Sequence, residues 1–214
     1  ELDLIDIQGN SLLLDRLLPT DPVGIGDSWQ HSDDLVVSLL RLDAAKSCDV
    51  ASKLVSVKDR VALMETAGRV SGAAAGVSTE IQLKAKYQFN LDTKRIVWFG
   101  LLIQEKRSVG HVGPGLDVVA RIQMTISQVD DSPGLSNEAL QAVTLTPDET
   151  LTRLRYESAA GGWQFANDRR WFITSNEADK AVLRMIDQGE LVAQCNVSSL
   201  PVMEVSKLAS LSKF

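Results

Sequence analysis

The densest knot of chemically competent side chains runs Glu105-Lys106-Arg107-Ser108 and, three residues on, His111. Ser108 and His111 offer a nucleophile and a base, the minimal equipment of a hydrolase. The surrounding stretch, RSVGHVGPG, has no GxSxG elbow, and its spacing does not by itself bring the two side chains within hydrogen-bond reach. The plainer reading is a solvated hairpin loop. A second cluster, Asn167-Asp168-Arg169-Arg170-Trp171, sets two guanidinium groups beside an indole. Arg169 and Arg170 then read as a clamp for a carboxylate or phosphate, because Arg presents a rigid two-pronged fork. The alternative is a turn entering an edge strand, with one Arg stacked on Trp171.

Other reactive types are scattered. Glu65, Asp92 and Glu105 lack the paired spacing of acid-base catalysis. Gly68, Gly72 and Gly76 interleave with Ala73 to Ala75, but not in a phosphate-cradling order. They predict a bulged or bent strand passing close to another element. Cys48 and Cys195 are the only cysteines, with no CxxC and no His nearby, so no zinc site and no cofactor is expected. They form either one disulfide or two buried thiols. Asn196-Val197-Ser198 matches a glycosylation acceptor but falls in an expected strand and reads as chance.

The elements that must position these groups are mostly strands. From Thr79 to Lys106 the chain predicts a long hairpin. Ile81, Leu83, Ala85, Tyr87 and Phe89 alternate with Gln82, Lys84, Lys86, Gln88 and Asn90, the pattern of an antiparallel strand with one wet face. Leu91 to Lys94 make the turn, with Asp92 expected to bond its own backbone. The return arm, Ile96 to Ile103, is apolar on both faces and is expected to be covered on both. Val118, Ala120, Ile122, Met124 and Ile126 alternate with polar neighbours in a further strand.

Upstream, Leu2 to Ile7 reads as a strand and Leu12 to Leu18 as strand or helix. A Pro- and Gly-rich loop ends at the anchor Trp29. Ser32-Asp33-Asp34 predicts a helix from Asp33 to Leu42, a Ser cap followed by acids at the positive end of the dipole. Val50 to Val57 and Arg60 to Val70 are strands joined at Lys58-Asp59. Together these give a meander of about five strands with one helix.

Residues 130–146 are small and polar, the best linker candidate. Thr146-Pro147-Asp148-Glu149 reads as a capping box or as a turn entering a strand. Trp171 to Thr174, Ala181 to Ile186 and Glu190 to Val197 are strands, the last two joined at Asp187-Gln188-Gly189. Val205 to Phe214 reads as a helix without a C-cap. The start at Glu1 and that uncapped end suggest a piece processed from a longer chain.

With 214 residues and 44% hydrophobic content the chain can bury a sizeable core. A net charge of -6 and a pI near 5.0 argue against nucleic acid as the partner. No apolar run is long enough for a transmembrane segment.

Three stretches carry a resemblance. LPTDPVGIGDSW, with Leu18-Pro19, Val23 and Gly26-Asp27-Ser28-Trp29, resembles the entry segment of uncharacterised exported bacterial proteins that fold like lipoprotein carriers of the LolA/LppX type. FNLDTKRI, Phe89 to Ile96, is similar to a hairpin recurring in the same proteins, with Lys94 where Gly is usual. Tyr156 through DRRW to LVAQCNVSSLP is similar in order to the PsbP/Mog1-like fold. The resemblance implies a curved antiparallel half-barrel and an exported, periplasmic or envelope-associated protein, and it carries over no catalytic residue.

The expectation is an α+β chain: a curved antiparallel sheet with a packed helix at 1–130, and a smaller α+β region at 147–214. The leading function is a non-enzymatic binding or scaffold protein, with a lipid-like ligand or a protein segment on a concave sheet face. Trp98, Tyr87, Phe89, Ile122 and Met124 are the candidate lining, with Arg169 and Arg170 as polar contacts. The protein's own helix at 33–42 is the other occupant that face admits. The rival functions are a hydrolase built on Ser108 and His111, and an interaction domain of a larger chain.

Overall fold

The computed structural model describes residues 11–199 except 130–131, 142, 144–145, 147, 149–151 and 159–160. The expected strand at Leu2 to Ile7, Pro147 and Glu149 of the capping box and the expected C-terminal helix lie outside the described residues. The chain divides into two compact units, Glu1–Leu145 with Ile186–Leu191, and Thr146–Met185 with Val192–Phe214.

The described residues are β-rich with few helices. In the first unit, strands β1 (Ser28–Gln30), β2 (Ala44–Lys58), β3 (Val61–Ala74), β4 (Val77–Asn90), β5 (Arg95–Arg107) and β6 (Leu116–Thr125) form one antiparallel meander in chain order. Six strands thus stand where about five were expected, because Trp29 sits in a short strand of its own. No pairing among the described residues joins β1 to β6, so the sheet is open.

Sequence sets the turns. Asp59 and Arg60, with φ of 49° and 63°, make the two-residue connection of β2 to β3. In the central turn the backbone bond comes from a different side chain than expected. Asn90 Oδ1 accepts from the N–H groups of Asp92 and Thr93, both at 2.9 Å, while Asp92 pairs with Arg60 at 2.9 Å. Lys94 takes φ of 53°, the left-handed conformation for which Gly is the usual choice. The expected close approach is present at Gly68, where an added Cβ would stand 2.2 Å from the Asp49 carbonyl oxygen of β2.

One sheet face is the core. Val70, Ile81, Leu83, Ala85, Tyr87, Ile96 and Phe99 are buried on it. Leu14 and Leu17 of a 3-10 helix (Ser11–Leu17) and Leu35 and Val36 of helix α1 (Asp33–Leu40) pack against it. Helix α1 starts as the sequence predicts, with Ser32 Oγ accepting from Leu35 N–H at 3.4 Å. It stops two residues earlier than expected, because Arg41 turns left-handed at φ 52°. The other face is wet, and here the reading of β5 fails. Leu102 is 45% exposed, so the return arm is not covered on both sides.

Residues 133–141 of the expected linker hold a 3-10 turn (Pro133–Leu135) and the short helix α2 (Asn137–Gln141). In the second unit β7 (Leu154–Ser158) pairs with β8 (Trp163–Asn167); β9 (Trp171–Asn176), β10 (Lys180–Asp187) and β11 (Glu190–Ser198) form a sheet in the order β11-β10-β9, of which the turn Ile186–Leu191 belongs to the first unit. Strand β8 was not expected. Tyr156, Leu183 and Ala181 are its core, with Trp163, Phe165 and Trp171 packed around them.

Candidate functional site

The two reactive clusters lead to ordinary surface structure. Glu105 is taken: Thr79 Oγ1 donates to its Oε1 at 3.0 Å, and Arg107 binds the same oxygen. Ser108 and His111 are both exposed on the loop that follows. Arg169 and Arg170 occupy the turn between β8 and β9. Arg170 directs its backbone N–H and its Nε to Asp168 Oδ1, at 2.9 and 3.0 Å, and these bonds hold the Asp168 carboxyl below its usual range. Asp168 is itself a surface residue, so the arrangement is a braced turn. Cys48 and Cys195 are both free, and Cys195 is exposed, contrary to the reading of two buried thiols. Burial and the charges of Asp33 and Asp49 raise the Cys48 thiol pKa, which favours the inert protonated form. No group of three or more potential metal ligands exists among the described residues. Nor is any described helix long and apolar enough to cross a membrane.

The candidate ligand residues of the hairpin do not share one face. Tyr87, Phe89, Ile122 and Met124 point to the core side, following the register Tyr87 to Phe99 and Phe99 to Met124. Trp98 pairs with Gln88 and points to the wet side, where its Cη2 lies 2.7 Å from the place a Gly100 Cβ would take. It fills the gap that glycine leaves in the sheet surface. Tyr87 is fully buried, with no exposed surface, and its hydroxyl donates to the Leu17 carbonyl at 2.9 Å. The face expected to receive a ligand is therefore occupied at its centre by the chain's own Ser11–Leu17 segment and by α1.

Sequence reasoning missed what lies beneath that segment. His31 Nε2 lies 2.7 Å from Ser52 Oγ, Ser52 Oγ 2.5 Å from Thr66 Oγ1, and Tyr87 OH 3.2 Å from Ser52 Oγ. All four residues are buried. Trp29 Nε1 donates to the same Leu17 carbonyl at 3.0 Å. Burial lowers the His31 pKa and raises that of Tyr87, and both shifts favour the neutral form. Its only sequence signal was Ser52 and Thr66, polar residues at core positions of their strands.

Cover thins out toward β6. On β3 and from Ile81 to Tyr87 of β4 the core-side apolar positions are buried, whereas Val77 and Phe89 at the ends of β4, Leu101 of β5 and Val118, Ala120, Ile122 and Met124 of β6 are only half-buried. This leaves an apolar strip beside the last strand of the sheet.

The second unit holds a pocket of about 470 Å³ bordered by Phe165, Asn167, Trp171, Leu183, Cys195 and Val197. Asn167 gives its Nδ2 hydrogens to the Asp168 and Trp171 carbonyls at 3.0 and 3.5 Å. Its Oδ1 is buried and has no hydrogen-bond partner among the described residues. This asparagine holds the β8–β9 turn.

No family model matches the chain, and no curated protein or solved structure matches it. The carrier-like and PsbP-like resemblances therefore rest on their own short motifs.

Proposed function

We propose that this chain is a non-enzymatic binding or scaffold protein whose six-stranded sheet holds apolar material on one face. The chain's own 3-10 segment and α1 occupy most of that face. The half-buried strip of Leu101, Ala120, Ile122 and Met124 receives an apolar ligand or partner segment. The gradient of burial from β4 to β6 carries this reading. Apolar side chains left half in water each forgo part of the 1.5–3 kcal/mol or so that full burial gives. A partner that covers them recovers it. The half-barrel shape and export to the envelope enter the proposal from the resemblance, and the open antiparallel sheet accords with the former. The exposed positions of Ser108 and His111 lend the hydrolase reading no support.

Native mass spectrometry of the chain purified from a bacterial host tests the proposal. The expected result is an apolar adduct that is lost on unfolding, or a mass above that of one chain. A bare single-chain mass, with no shift when lipid extract is added, would overturn it.

A further inference from the structure

The strip borders an edge. Strand β6 has β5 on one side and no strand on the other among the described residues. It runs ten residues, contains no proline, and pairs with β5 without a register shift. Natural sheets blunt such edges with bulges, prolines or very short strands, because a row of free N–H and C=O groups pairs with other chains. The opposite edge follows that rule, since β1 is three residues long. Strand β6 does not.

Its sequence is also self-complementary. When two copies of Leu116–Thr125 run antiparallel about a two-fold axis at Val119, Asp117 of each lies opposite Arg121 of the other. Val119 then meets Val119 on the wet face. On the core face Val118 meets Ala120 and Leu116 meets Ile122, so the half-buried apolar strips of two copies join. Neighbouring registers lose this match. An axis at Ala120 sets Arg121 against Val119, and one at Arg121 sets two guanidinium groups face to face. Val119 is 63% exposed, and neither Asp117 nor Arg121 has an ion-pair partner among the described residues.

We propose that the partner of this strip is a second copy of the chain, added through β6 to β6 pairing into one continuous antiparallel sheet. An isologous contact of this kind closes on itself and does not build a filament. The inference rests on the strip being apolar and half-buried: edge pairing sets the two strips side by side, where each shields the flank of the other, and the face itself stays open to a ligand.

Sedimentation equilibrium of the full chain over about 1–200 μM is the test, with the variants D117R, R121D and D117R/R121D. Each single exchange sets like charges opposite one another twice and is expected to weaken association by about tenfold or more. The double exchange restores opposite charges and is expected to recover it. A species of twice the 23.3 kDa chain mass with that pattern supports the inference. A monomer throughout overturns it, as does a dimer indifferent to the single exchanges. Binding of an apolar fluorescent probe on the same samples separates the two levels. A monomer that binds the probe at the strip sinks the dimer alone, and a monomer that does not sinks the reception surface as well.

Discussion

At the scale of single residues, His31 is the group with the clearest consequence. Its imidazole is buried against Ser52, and the hydroxyls of Thr66 and Tyr87 complete a neutral network. Protonation there places a charge where desolvation opposes it, so the folded-state pKa lies below the ordinary value of 6.5. Between the two pKa values the unfolded chain binds more protons than the folded one, and stability therefore rises with pH. Stability should fall as pH drops below about 6.5, by at most about 1.4 kcal/mol for each pH unit. Urea melts from pH 7.5 to 5 check this against His31→Gln, which should flatten the slope. An unchanged slope in the variant would assign the effect to carboxylates. Beyond Ser52 and Thr66 at core positions this was not legible beforehand, because a histidine's neighbours in space are set by strand register and not by spacing along the chain.

At the scale of elements, the decisive piece is the 3-10 segment Ser11–Leu17. Leu14 and Leu17 are buried against the sheet, and the Leu17 carbonyl accepts from both Tyr87 and Trp29. Leu17→Ala keeps the carbonyl but opens a cavity, so it should cost about 2–5 kcal/mol. A loss under about 0.5 kcal/mol in chemical denaturation would mean that the segment does not pack as described.

The long hairpin was readable because period-two alternation leaves little choice of face. Strands β10 and β11 were readable because Gln188 and Gly189 mark their turn. Strand β8 was missed, since Trp163 and Phe165 alternate over only five residues behind a Gly-Gly turn. The faces were harder than the strands. Trp98 went to the wrong side because the register shift between Gln88 and Phe89 changes which β5 residues face the core, and a bulge leaves no mark on the alternation. The double cover expected for β5 failed for a related reason: an apolar run reports hydrophobicity but not what lies above it, and Leu102 faces water.

At the scale of the whole molecule, the open antiparallel sheet of the first unit is filled on one face by its own chain and left partly bare beside β6. The proposed function requires that this strip be accessible and apolar enough to receive a ligand. Titration of an apolar fluorescent probe into the native chain at pH 7, beside the double variant I122Q/M124Q, tests this most directly. The account predicts saturable binding that the variant weakens by about fivefold or more, since each substitution removes on the order of 1 kcal/mol of apolar contact. Binding that is absent, or equal in the two proteins, would contradict it.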